Sequence, residues 1–184
     1  MKVKEVIALA AENLGREDLS SELETLDGAP EGELKSLLRC YNLVENEVAL
    51  DYFPLKAEEE VLPQNGRIPY SELAHAPVNF FRVRGGDGRD VDFEAHPAYL
   101  SVPAETGALT VVYAYAPEHK EIVGESEFSG KITARLLSYG VACEFCLTSA
   151  RYAEAALWER RFRDALRAAE IIRRRLKVRA RRWL

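Results

Sequence analysis

Leu109-Thr110-Val111-Val112-Tyr113-Ala114-Tyr115-Ala116-Pro117 is the stretch on which the reading of the fold turns. Leu109, Val111, Tyr113 and Tyr115 alternate with Thr110, Val112 and Ala114, the period-two pattern of a strand, and Pro117 closes it. Just upstream, Val91, Phe93 and Ala95 alternate with Asp92, Glu94 and His96 in the same way. Pro63-Gln64-Asn65-Gly66, Gly85-Gly86-Asp87-Gly88 and Glu105-Thr106-Gly107 are turn signals, and seven of the eight prolines fall in residues 54–117. Short strands joined by tight turns predict antiparallel pairing in a small sandwich or curled sheet.

Outward from this region the period changes on both sides. Val3, Val6, Ile7, Ala10 and Leu14 recur at three and four residues, so a short amphipathic helix is expected to stop at Gly15. Residues 16–29 read as acidic and polar. A second, long, one-sided helix then carries Leu34, Leu37, Leu38, Tyr41, Val44, Val48 and Tyr52 up to Pro54. After Pro117, Ser126 is the expected cap of a helix in which Ile132, Leu136, Tyr139, Cys143 and Cys146 share a face. A last helix carries Ala155, Trp158, Phe162, Ala165, Ala169, Ile172 and Leu176 as a near-heptad seam. The predicted class is α+β, an antiparallel helical bundle from both chain ends, residues 1–53 and 119–184, with residues 54–118 inserted as a small antiparallel β subdomain.

The final helix is expected to be long. Run from about residue 150 to the end it would measure roughly 50 Å at 1.5 Å per residue. A body of the remaining ~150 residues has a diameter of roughly 40 Å. The end should therefore overhang as an arm.

Charge singles out the same segment. The chain has 184 residues and a formal charge of −5, with 47% apolar and 30% charged residues, a globular composition that excludes disordered and collagenous classes. Residues 1–126 hold 11 Lys/Arg against 24 Asp/Glu, a balance of −13, and residues 127–184 hold 14 against 6, a balance of +8. Residues 160–184 alone hold 11 basic and 2 acidic side chains, and no acidic residue follows Glu170. Like charges packed this densely repel unless an acidic partner is near, and arginine, ten of the eleven, favours bidentate pairing with carboxylate or phosphate. The expected binding residues are Arg173, Arg174, Arg175, Lys177, Arg179, Arg181 and Arg182, with Trp183 as an apolar anchor.

Other patterns point to plain structure. Cys143-Glu144-Phe145-Cys146 has zinc-like spacing, yet Cys40, His75, His96 and His119 are scattered singly, so the pair reads as core cysteines and no metal or cofactor is expected. Gly85-Gly86-Asp87-Gly88 is followed by strand-like residues rather than a helix, which predicts a hairpin turn and not a phosphate cradle. Ser71-Glu72-Leu73-Ala74-His75 and His96-Pro97 lack the features of a nucleophile turn, and Glu58-Glu59-Glu60 reads as a solvated run, so no enzymatic activity is expected. With three cysteines, no leader-like start and no stretch of about 20 apolar residues, the chain is expected to fold in the cytosol and to avoid membranes.

The segments Val3–Ala10, Leu37–Ala49, Ile132–Phe145 and Tyr152–Phe162, together with the strand-rich middle, resemble tailed-phage head-to-tail adaptor proteins. The resemblance covers most of the chain and rests on helix patterns and their order. It implies a virion structural protein of the neck, assembled in the host cytoplasm as a ring, in that family twelvefold, under the portal after genome packaging. It also implies that the C-terminal segment docks on the portal protein ring and that the β part faces the tail or stopper protein. The basic tail departs from the family pattern in strength, which leaves contact with genomic DNA in the channel, or a nucleic-acid-binding module using the same helix, as the alternative reading.

Overall fold

The computed structural model describes residues 1–26, 28–103 and 107–174, and its fold is α+β: five α-helices and two three-stranded antiparallel sheets among those residues. The chain divides into two compact units, one from residues 1–45 together with those from 119 onward, the other from 46–118.

In the helical unit, Val3, Val6, Ile7 and Ala10 step along one buried face of α1 (Val3–Asn13), and Gly15 takes a left-handed φ of 69° just past its end. The segment expected to be a polar connector folds instead as α2 (Glu17–Thr25), held to α1 by Leu19 and Leu23. Two leucines four residues apart give a minimal apolar stripe, which suffices because α1 supplies the rest of the core. α3 (Gly32–Glu47) buries Leu34, Leu37, Tyr41 and Val44 and passes at its end into a π turn, Val48–Tyr52. α4 (Ala134–Thr148) packs against α1, and α5 (Tyr152–Arg174) packs against α4.

α4 begins later than expected and is capped by a different residue. Thr133 holds the N-cap position, its hydroxyl accepting the Leu136 N–H at 3.2 Å, whereas Ser126 lies in the preceding loop. That loop ties down the chain start: the Val3 N–H donates to the Gly124 carbonyl at 3.1 Å and the Ser126 N–H to that of Met1 at 2.9 Å.

In the second unit β6 (Leu109–Tyr115) is the central strand, flanked by β1 (Leu55–Val61) and β3 (Pro77–Gly85), with Glu59 and Val83 both opposite Val111. A smaller sheet places β5 (Tyr99–Ser101) between β2 (Arg67–Pro69) and β4 (Glu94–Ala95). The two sheets share one core of Ile68, Val83, Leu100, Leu109, Val111 and Tyr113. The alternation expected over residues 91–96 yields only the two-residue β4, although Val91 and Phe93 still pack on that core. Gly85-Gly86-Asp87-Gly88 is a hairpin turn, closed by the Gly88 N–H on the Gly85 carbonyl at 2.9 Å with Gly88 at a φ of 78°.

Candidate functional site

α5 builds its surface from two stripes. Ala155, Trp158, Phe162, Leu166 and Ala169 are buried against the helical unit, so the seam uses Leu166 and leaves Ala165 half-buried. Arg160, Arg161, Arg163 and Arg167 occupy the exposed stripe. In this part the charge is partly neutralised along the helix, Arg163 pairing with Glu159 at 2.5 Å and Arg167 with Asp164 at 3.7 Å. Arg161 lies over the Trp158 ring, 4.7 Å from its centroid.

Of the residues expected to bind a partner, Arg173 and Arg174 are the last two positions of α5 as described. Arg175, Lys177, Arg179, Arg181, Arg182 and Trp183 lie outside the described residues.

The described surface adds a feature that period counting passed over. The N-terminal turns of α4 and the exposed side of α5 enclose an open groove of about 670 Å³. Lys131 and Arg135 stand on its α4 side, Arg161 and Asp164 on its α5 side, and Leu136, Ala165, Ala168 and Ala169 contribute apolar lining. Arg135 donates from Nε to the Tyr139 hydroxyl at 2.5 Å, and the Tyr139 ring stacks on Trp158 with centroids 5.9 Å apart. The available signal was the i, i+4 pair Arg135 and Tyr139 combined with three alanines near the end of α5.

The other motifs resolve into packing. Cys40, Cys143 and Cys146 are buried thiols, Cys143 donating to the Ala155 carbonyl at 3.5 Å, and burial pushes the Cys40 thiol up to about 11 and the Cys146 thiol above its ordinary value. No group of three or more His, Cys, Asp or Glu among the described residues is placed to hold a metal ion. His75 stacks on Tyr115 at 4.1 Å and His96 on Tyr99 at 4.6 Å, while Ser71 sits in an exposed 3₁₀ turn. The run Glu58-Glu59-Glu60 lies in β1 with Glu58 and Glu60 exposed as expected, whereas Glu59 turns inward and accepts the Tyr113 hydroxyl and the Ala74 N–H. No helix among the described residues is long and apolar enough to cross a membrane.

No protein-family model matches the chain, and no curated protein matches it.

Proposed function

We propose that this chain is a non-enzymatic virion structural protein, a head-to-tail adaptor of a tailed phage. It assembles as a ring, twelvefold by the resemblance, beneath the portal in the virion neck. In this reading the helices form an antiparallel bundle, the last of them continues past Arg174 as a long arm, and residues 170–184 grip the portal. The β unit faces the tail or stopper protein.

One observation carries the reading: the basic residues of the chain end accumulate where the helix has exhausted its own acidic partners. Glu159 and Asp164 pair with Arg163 and Arg167, while seven further Lys/Arg and no Asp/Glu follow Glu170. Like charges of this density in the sequence are stabilised by an external anionic surface. The separation of −13 from +8 along the chain also supplies complementary faces for head-to-tail contact between neighbours.

Electron microscopy of the protein mixed with portal rings, with and without residues 170–184, tests the arm. Loss of decoration on truncation supports it, and equal decoration sinks it. A nucleic-acid-binding module is the second reading, favoured by ten arginines to one lysine in residues 160–184. It requires tight, salt-sensitive binding of unrelated duplexes by the isolated protein, where the adaptor requires weak binding.

A further inference from the structure

We infer that the groove between α4 and α5 is one half of a contact between two copies of this chain, and that its occupant is the exposed ridge of α2 from the neighbouring copy. The inference rests on the ring reading above and gives that ring a specific surface.

The groove has a small-residue floor and cationic rims. Ala165, Ala168 and Ala169 keep the floor shallow, so another helix can approach closely. Lys131 and Arg135 on one rim and Arg161 on the other have no carboxylate partner among the described residues, and the single acidic lining residue, Asp164, is engaged by Arg167. The first turn of α4, which opens onto this space, contains no acidic residue, so its positive dipole end adds to the field.

α2 has the complementary relief. Its buried side is Leu19 and Leu23, and its opposite crest is Ser21 and Thr25, both small. Both crest hydroxyls bond back to their own helix, Ser21 to the Glu17 carbonyl at 3.0 Å and Thr25 to that of Glu22 at 3.2 Å, so covering them orphans no donor. At helical spacing Glu17 and Glu24 flank the crest on one side and Asp18 and Glu22 on the other. Asp18 is held by Arg16, whereas Glu17, Glu22 and Glu24 are exposed and without an ion-pair partner among the described residues. A small crest over an alanine floor with carboxylates facing both cationic rims is a helix-in-groove contact. Because groove and ridge are different surfaces of one chain, the contact is heterologous and propagates from copy to copy, as a ring requires.

The test uses the full chain and two charge-reversed forms. The ridge variant is Glu17→Lys/Glu22→Lys/Glu24→Lys; the groove variant is Lys131→Glu/Arg135→Glu/Arg161→Glu. Sedimentation velocity on the native chain is expected to show association at about 0.05 M salt that is lost at about 0.5 M. Each variant alone, folded by circular dichroism, is expected to be monomeric. Mixed one to one, the intact groove of the first meets the intact ridge of the second and the reversed ridge meets the reversed groove, so association is expected to return with the two variants alternating. A native chain monomeric at low salt, variants that associate like the native chain, or a mixture that stays monomeric would each overturn the contact. Portal decoration by electron microscopy separates the two readings. Complete rings of the groove variant on the portal overturn this contact and keep the adaptor, whereas restored association in the mixture of a chain that ignores the portal keeps the contact and sinks the adaptor.

Discussion

Ser126 donates its hydroxyl proton to Glu45 Oε1 across 2.6 Å, joining the loop before α4 to a carboxylate near the end of α3. Glu45 is only 1% exposed, and the same oxygen also accepts the Tyr41 hydroxyl at 3.0 Å and the Glu127 N–H at 3.1 Å. Oε2 has no partner among the described residues, so all of the carboxylate's hydrogen bonding passes through one atom. Ser126→Ala removes one of three donors and is expected to cost about 1–3 kcal/mol. Glu45→Ala strands all three donors and opens a cavity, for an expected loss of about 3–5 kcal/mol. Urea unfolding of the two variants checks the order; equal losses would contradict it.

Among the buried groups, Cys40, Tyr113 and Tyr41 hold their protons beyond their ordinary range, and each for the same first cause, loss of water. Burial pushes the Cys40 thiol up to about 11 and the Tyr113 phenol up to about 12, and it raises the Tyr41 phenol as well. The unfolded chain releases these protons from about pH 9 for the thiol and about pH 10 for the phenols, while the folded chain keeps them. Their contribution to stability is therefore complete below pH ~9 and is lost as pH climbs through the folded values. Denaturant midpoints measured from pH 7 to 12 are expected to fall above ~9, and Cys40→Ala is expected to flatten the first part of that fall.

Gly140 sits where α4 meets two neighbours. A Cβ there would stand 2.6 Å from Val44 Cγ1 and 3.0 Å from Phe162 Cε2, and both side chains are buried. Alanine in a helix interior gains about 1 kcal/mol over glycine, but the overlap outweighs it. Gly140→Ala is expected to destabilise by about 1–3 kcal/mol net, and Val44→Ala in the same chain to recover part of that loss. A double-mutant cycle by thermal unfolding reads the coupling; additive effects would show that the two sites do not meet.

What could be seen in the sequence depended on how regular each element is. α1 and β6 carry an unbroken period, and Val3, Ile7, Val111 and Tyr113 are fully buried as that period requires. β3 stayed hidden because its register shifts twice, between Pro77 and Asn79 and between Phe80 and Arg82, which turns Val78 and Phe81 outward and destroys the alternation. β1 was masked by Glu58-Glu59-Glu60, whose middle carboxylate points inward for a reason only the fold supplies, the Tyr113 hydroxyl from the adjacent strand. The groove is a tertiary object: Arg135 and Ala168 lie on different helices, and nothing local relates them.

The Tyr113 hydroxyl gives the β unit its own prediction. It donates to Glu59 and accepts the His75 N–H at 3.2 Å, so Tyr113→Phe leaves an N–H unpaired and deprives the carboxylate of a donor. An expected cost of about 1–3 kcal/mol follows. Hydrogen exchange should report faster opening for amides of residues 55–61 and 109–115 with little change in α1 and α4. Uniform acceleration across both units would show that they unfold as one.

The basic residues after Glu170 separate stability from the proposed function most cleanly. The buried seam of α5 runs through Ala155, Trp158, Phe162, Leu166 and Ala169, and its largest member, Trp158, is 7% exposed beneath Arg161 and beside Tyr139. Trp158→Ala is therefore expected to cost about 3–5 kcal/mol, the usual loss for a buried aromatic. Replacing Arg173, Arg174, Arg175, Arg179, Arg181 and Arg182 by glutamine touches none of those five side chains. The melting temperature is expected to shift by a few degrees at most, because substitutions away from such a seam usually change stability by about 0.5 kcal/mol or less each, in either direction. If the proposed adaptor role holds, portal decoration is expected to disappear in the same variant, and raising the salt is expected to weaken decoration by the native chain in the same direction. A variant that melts early would place these arginines in the protein's own packing, and one that melts normally and still decorates portal rings would remove them from the docking contact.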